Sequence, residues 1–541
     1  MSKQKRRNRT AAFRFHTLYC IAAAGLAAAA VLPLAAQETS GTILGVVTDS
    51  SGADIPGATV TIKNTDRNAV ERTLKTNGTG EYAAPQLPIG HYVITVTAPH
   101  FKSSDITNLT LNVNDKLRVK ATLQVGNVNE SVSVQANALQ VNTQSATAET
   151  LITGTQIREL ALATRNFEQL TQLMPGVTSD VSDQLYAGAS QPGGATNETA
   201  ISLNGSFGTG NNWTIDGADD VDRGNNAVLL DYPSVDAIDE FKVLRGNYNA
   251  EYGRASGGQV NVVTRSGESK FHGDLYEFFR NNVLDANSFS NKLADPIVPR
   301  TPFRYNDFGG TFGGPVFIPH IYNEQRNKTF FFFSEEQRRI VEYDPTTAVV
   351  PNLAERGANG VPTFAYPVCL VPTSGDGTCP AGESSTTIPL TSISPAANAY
   401  LKDVYAGVPA PQDASLDLLQ TNQRSVYNFR QEIYRLDHTF DPKWSMFLRY
   451  LQDSIPTVEG GGLFTGNTVP DVGRTSTQSP GKNAVAAINT IFSPTLLNQL
   501  EYAWSFGAIL STPTGQLATA NSPDVVSAIT LPNPETVGRV P

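Results

Sequence analysis

The chain has 541 residues, of which 40% are hydrophobic and 17% charged, and 40 Lys and Arg against 50 Asp and Glu leave a formal net charge of -10. Such a length allows three or four domains, and an acidic chain without a basic footprint excludes a nucleic-acid partner. Beyond the N-terminus no apolar run reaches ~18 residues, which excludes a transmembrane helix there but not a transmembrane barrel, whose strands give a weak signal.

Residues 1–36 have the architecture of a signal peptide. Lys3, Lys5, Arg6, Arg7, Arg9 and Arg14 form a basic start, an Ala-rich apolar core runs from Leu18 to Leu34, and Ala35-Ala36 set a cleavage site. No matching apolar consensus follows Arg6-Arg7 closely, so the general secretory route is favoured over the twin-arginine one. Export removes Cys20 and leaves Cys369 and Cys379 in one Pro-, Gly- and Ser-rich loop. In an oxidising compartment these two suit a small disulfide, with two free thiols as the open alternative. His91, His100, His272, His320 and His438 are scattered without a zinc-type pairing, so no metal, cofactor or catalytic residue is expected.

Residues 42–124 alternate turns and short strands. Ile43–Val47 leads into the turn cluster Asp49-Ser50-Ser51-Gly52, Pro56-Gly57 opens the alternating strand Ala58–Ile62, and Gly80-Glu81-Tyr82 and Gly90-His91-Tyr92 open others. This spacing predicts a small β-sandwich. Gly45, Asp49, Gly52, Pro56-Gly57-Ala58, Tyr82, Leu87 and Gly90-His91-Tyr92 together resemble the carboxypeptidase regulatory-like domain, a transthyretin-like sandwich of carbohydrate-binding-like topology. His100 departs from it, standing where that family often has glycine. The resemblance implies a spacer or interaction module, and neither a peptidase nor a sugar site follows from fold alone.

Residues 125–150 read as a polar linker carrying one short β-like piece, Glu130-Ser131-Val132-Ser133-Val134-Gln135-Ala136. Two helical signals follow, Thr155–Leu160 and Asn166–Leu173, the second stopped by Pro175-Gly176. Asp216, Asp219, Asp220 and Asp222 then cluster in a short run; their spacing departs from an EF-hand loop, and turn chemistry accounts for Asp216-Gly217. The glycine-rich stretch 243–267 is not a phosphate cradle, because Gly257-Gly258 leads into the strand pattern Gln259–Thr264 rather than into a lysine, a hydroxyl and a helix.

Val235–Gly246, then Glu251-Tyr252-Gly253, then Gly257–Thr264 resemble, in order, the end of a TonB-dependent receptor plug. With the preceding sandwich the chain resembles the Oar-like TonB-dependent outer-membrane transporters. That implies an outer-membrane protein of a Gram-negative bacterium with a periplasmic N-terminal domain. It implies no enzyme. Its partners would be membrane lipid, an extracellular ligand and a TonB-type inner-membrane energy complex that pulls on a segment near the plug. The ligand classes are siderophore, cobalamin, saccharide or peptide; a surface adhesion or secretion-associated barrel is the rival reading. Glu130–Ala136 is the candidate pulled segment, with the sandwich's last strand or plain linker as alternatives. Gly246, Gly253, Gly257 and Gly258, with Tyr252, read as hinge and packing positions, and Glu240 and Arg245 as partners of charges on the barrel wall, with a solvated or intra-plug pair as the alternative.

The plug is expected over 151–268 and a partial antiparallel transmembrane β-barrel over 269–541, so the fold class is mainly β: sandwich, small α+β plug, first part of a barrel. Seven strand signals follow the plug: Phe271–Arg280, Phe303–Gly314, Thr329–Arg339, Glu432–Phe440, Trp444–Tyr450, Ala484–Phe492 and Leu496–Phe506. Long connections alternate with short ones, as extracellular loops alternate with periplasmic turns. Seven strands cannot close an antiparallel barrel, and the chain ends without a terminal aromatic, so a truncated sequence is expected.

Overall fold

Runs of β-branched and aromatic residues at period 2 dominate the chain, and the computed structural model places them in three successive β units. The structure describes residues 39–126, 131–135, 146–162, 165–179, 201–224, 229–249, 252–293, 297, 299–371, 378–413, 415–462, 468–493 and 496–529. The predicted signal peptide, Glu130 and Ala136 lie outside the described residues.

The first unit is a sandwich of β1 (Gly41–Asp49), β2 (Thr59–Asn64), β3 (Ala69–Lys75), β4 (Glu81–Leu87), β5 (Gly90–Thr97), β6 (Ser103–Leu111) and β7 (Lys116–Leu123). One sheet has the order β4-β1-β7; the other runs β3-β2-β5-β6 and ends on β8 (Ser131–Gln135), which lies parallel to β6. Alternate residues such as Ile43, Val60, Ile62, Ile94 and Leu109 close the core between the sheets. Gly45 is required there: a Cβ would overlap the Val119 carbonyl, which accepts from the Tyr82 hydroxyl at 3.0 Å. His100 adopts φ +69, the left-handed conformation for which glycine is the usual solution.

The second unit contains β9 (Ala148–Thr153), β10 (Val177–Ser179), β11 (Ile201–Leu203), β12 (Asn212–Ile215), β13 (Ala218–Asp219), β14 (Ile238–Gly246) and β15 (Gln259–Thr264). Its main sheet has the order β13-β12-β15-β14-β9. Thr153 and Gln156 form a capping box at the helix Gly154–Glu159, and Asn166 caps a 3-10 helix, Phe167–Leu173. Phe167 packs against Trp213, Tyr232 and Phe241 with ring centroids 6.1, 5.3 and 6.0 Å away. β15 is buried on both faces because it is central in the sheet and enclosed by the third unit.

Among the described residues, the third unit is a meander of seven long antiparallel strands: β16 (His272–Asn281), β17 (Phe303–Pro315), β18 (Thr329–Val349), β21 (Leu418–Asp441), β22 (Trp444–Ser454), β25 (Pro480–Ser493) and β26 (Leu496–Gly507). Short strands β19 (Thr363–Cys369), β20 (Ser384–Thr387), β23 (Thr457–Glu459), β24 (Thr475–Gln478) and β27 (Leu510–Pro513) lie in its loops. Asp441 makes the tight turn between β21 and β22, its Oδ1 accepting from the backbone of Lys443 at 2.7 Å and Trp444 at 3.0 Å. The meander wraps the plug, with Tyr305, Phe332, Ile433 and Leu451 facing inward and buried, whereas Leu275, Tyr434, Leu448, Leu500 and Tyr502 stand exposed outside. An apolar exterior around a polar, plug-filled interior is the pattern of a transmembrane barrel wall.

One expectation needs correction. The third and fourth wall strands extend past the signals that end at Arg339 and resume at Glu432, to Val349 and back to Leu418 in continuous register, so the longest connection runs over 350–417. The extension lacks apolar alternation and contains Pro345, so periodicity misses it; a small loop core around Ala348, Val350, Leu419 and Val525 holds it. Cys369 and Cys379 in that connection are joined as a disulfide.

The glycines 246–258 also differ among themselves. A Cβ at Gly246 or Gly253 would meet open space, whereas one at Gly257 would overlap Ser206 and Asn211, and one at Gly258 would lie 2.5 Å from Leu203 Cδ1. Among the described residues of this stretch, the left-handed positions are Asn247 and Arg254, with φ 54 and 66. Gly257→Ala is therefore expected to destabilise the plug by about 1–3 kcal/mol through overpacking. Gly253→Ala should stay within about 0.5 kcal/mol. Protease protection of the plug in the two variants checks this, and equal protection would remove the packing argument.

Candidate functional site at the plug seat

The plug is held by buried ion pairs on the inner face of the wall. Asp216 and Gly217 form the two-residue turn between β12 and β13, with φ 48 and 86 as a type I′ hairpin requires. The turn carries Asp216 to the wall, where Arg449 Nε donates to its Oδ2 at 3.0 Å and Arg435 Nη1 lies 3.4 Å from its Oδ1. Within the plug, Thr264 donates to the same carboxylate through its backbone N–H and its hydroxyl at 2.9 and 2.7 Å. Arg449 also donates to the Ile215 carbonyl at 2.6 Å. A Cβ at Gly217 would come 2.5 Å from Glu501 Oε1 on β26, so glycine lets the turn touch the wall.

A second cluster lies on β17 and β18. Arg338 Nε donates to Asp307 Oδ2 at 3.0 Å and its Nη2 to Glu336 Oε1 at 2.5 Å and to the Arg165 carbonyl of the plug at 3.1 Å. Arg165 pairs with Asp236, lies 3.4 Å from Asp307, and stacks over Phe278 with its Cζ 4.2 Å from the ring centre. Ser234 donates to Glu336 Oε2 at 2.6 Å. Beside this, burial first and then Asp453 of β22 push the carboxyls of Asp220 and Asp231 well above the ordinary range. Asp453 in turn accepts from the Tyr232 backbone at 2.8 Å.

The sandwich joins the same assembly from the side of the short turns. Arg67 Nη2 donates to Asp437 Oδ1 at 2.9 Å, and Asp437 also accepts from Arg435 Nε at 3.0 Å. Arg449, Asp216, Arg435, Asp437 and Arg67 thus form one alternating chain of charges from wall to plug to sandwich. Glu240 and Arg245 do not reach the wall. Glu240 accepts from the backbone N–H of Val113 in the sandwich, and Arg245 donates to the Pro175 carbonyl within the plug at 2.6 Å. Glu240 sits on the face of β14 that meets the sandwich, and strand alternation alone does not say which neighbour a face will meet. Lys242, two residues on, donates to the Val113 carbonyl at 2.6 Å and to Asp115 Oδ1 at 2.8 Å. Tyr252 packs edge-on against Tyr248 with ring centroids 6.1 Å apart. Ser131–Gln135 is the sandwich's edge strand.

Burial, then the neighbouring Asp239, push the Glu240 carboxyl up to about 8. A carboxyl with a higher pKa folded than unfolded holds more protons in the folded state, so its stabilisation is full below the ordinary value of 4.5 and is lost as pH rises toward about 8. The sandwich–plug seam is therefore expected to weaken between those values, and Glu240→Gln to flatten that part of the profile. Thermal midpoints of both proteins across this window check it; parallel profiles would refute it.

Sequence comparison places residues 42–124 in the carboxypeptidase regulatory-like domain family, 141–260 in the TonB-dependent receptor plug domain family and 263–541 in the outer membrane beta barrel domain family. A curated relative, the TonB-dependent transporter Oar of Myxococcus xanthus, is 29% identical over 295 residues, covering 52% of this chain and 26% of its own length. The chain thus matches about a quarter of that relative. Among solved structures, the outer membrane transporter YddB from Escherichia coli aligns with a TM-score of 0.41 at 10% identity, over 68% of this chain and 39% of its own. The siderophore receptor PirA from Acinetobacter baumannii aligns with a TM-score of 0.40 at 13% identity, over 72% and 43%.

Proposed function

The chain belongs to the TonB-dependent outer-membrane receptors, a family of transporters and not enzymes, and from that premise we propose that it imports a scarce extracellular ligand by energised displacement of its plug. The supporting observation is the seat itself: Asp216 on a plug turn, gripped by Arg449 and Arg435 from the wall. A buried ion pair resists spontaneous opening because each partner left alone is a costly buried charge. Work supplied from outside the seat is then needed to part them.

The ligand is a siderophore, cobalamin, a saccharide or a peptide, and the energy donor is a TonB-type inner-membrane complex that grips the segment 130–136. Uptake of labelled members of these four classes by cells producing the protein, with and without a proton-gradient uncoupler, tests the reading. Uptake of one class that collapses with the gradient is expected. Surface binding with no gradient-dependent uptake of any class would instead favour an adhesion or secretion-associated barrel. Deleting 130–136 should abolish binding of the periplasmic domain of TonB and leave the plug folded.

A further inference from the structure

The segment proposed to be gripped is not free: Ser131–Gln135 is already a strand of the sandwich. Its register on β6 runs from Ser103 opposite Ser131 to Thr107 opposite Gln135, all parallel. Yet its side chains contribute nothing to the sandwich core, which is closed by residues of β1 to β7 and their turns, including Ile106, Leu109 and Leu111 of β6. Val134 is 47% exposed, and Ser131, Ser133 and Gln135 are exposed as well. Val132 alone is half-buried, so what chiefly holds β8 is a single main-chain ladder along one edge, in the parallel arrangement that is the weaker of the two per residue. A ladder of this kind does not read side chains, so any strand offering the same row of N–H and C=O groups competes with it.

The sandwich itself is anchored elsewhere. Val113 is clamped through both its backbone groups, its N–H to Glu240 and its carbonyl to Lys242, and Arg67 is bound to Asp437 on the wall. Lys242 is buried, with 1% of its side chain exposed. Losing β8 breaks none of these contacts. The sandwich can therefore stay docked across the plug while its edge strand leaves.

From this we infer that the N-terminal sandwich is a parking site for the coupling segment: β8 rests on β6 in the sealed state and is captured by strand exchange, leaving β6 for an edge strand of the energy-coupling partner. The inference rests on the reading of 130–136 as the gripped segment and adds its regulation. Parking keeps an exposed β-prone segment from pairing with unrelated strands, and it makes capture a competition that a weakly held strand loses readily. The sandwich then has a role in coupling that its resemblance to a carboxypeptidase regulatory-like domain does not carry.

A reversible lock tests it. Thr107→Cys with Gln135→Cys places two thiols opposite each other at the exposed end of the ladder. Binding of the purified periplasmic domain of TonB to the full chain would be measured for this variant oxidised and reduced, with each single-cysteine variant treated alike. Oxidation is expected to weaken binding by at least about tenfold, and reduction to restore it, while the single-cysteine variants do not respond. Because the comparison is made within one folded protein, misfolding cannot imitate the result. Equal binding of the oxidised and reduced forms would overturn parking. The deletion of 130–136 separates the two levels. If the deletion abolishes binding but the lock does not, the segment is right and parking is wrong; if the deletion variant still binds, the segment assignment falls and the inference with it.

Discussion

Asp216→Asn is expected to unseat the plug while leaving its fold in place. The substitution keeps the size of the side chain, and Asn-Gly suits the type I′ turn as well as Asp-Gly does, so the β12–β13 hairpin should persist. What it removes is the negative charge that both guanidinium groups face: Arg435, 10% exposed, keeps Asp437, whereas Arg449, 0% exposed, loses the carboxylate it pairs with. Breaking a buried pair by neutralising one partner costs about 3–5 kcal/mol, because the remaining charge is left without compensation. The cost falls on the seated state alone, since both arginines regain water once the plug leaves. Raised passive permeability of the outer membrane to a bulky antibiotic, with unchanged protein level, is the expected readout. Permeability equal to that of the parent would show that the pair does not hold the plug.

Arg338→Met should have an effect of similar size but a different character. Among the described residues, Arg338 and Arg165 are the cations within 4 Å of both Asp307 and Glu336, Arg165 lying at 3.4 and 3.9 Å. Without it, Asp236, Asp307 and Glu336 face one guanidinium in a site closed to water, again at a cost of about 3–5 kcal/mol. Because Asp307 and Glu336 belong to the wall, the loss should appear as a lower unfolding temperature of the wall as well as a loosened plug. Combining Arg338→Met with Glu336→Gln removes one charge of each sign and should recover part of the loss, since coupled neighbours are not additive. Additive losses in the double variant would mean that the two residues act independently.

These seat residues define what the sequence did not show. Asp216 reads as a turn residue, and it is one, but its contact with Arg449 spans a separation of 233 residues. Arg435 and Arg449 occupy alternate positions of strands whose apolar faces are plain in the sequence, yet no local pattern distinguishes an arginine facing water from one facing a plug. Glu240 shows the same difficulty: its place on a strand is legible, whereas its neighbour proves to be Val113 of the sandwich and not the wall. Gly257 and Gly253 look alike in the sequence and differ in whether Ser206 and Asn211 stand where a Cβ would go.

By itself the sequence determined the sandwich, the plug strands and the seven wall strands, because period-2 alternation and turn residues such as Asp441-Pro442 or Asp216-Gly217 act over a few residues at a time. Tertiary structure alone decided where those strands stop when their faces are polar, as in Glu342–Thr347 of β18, where pairing with β21 and the loop core replace hydrophobic alternation. It also decided which charges meet. An ion pair between plug and wall depends on the docking of two separately formed surfaces, and the free energy that fixes that docking comes from burial across the whole interface, to which no short stretch of sequence corresponds.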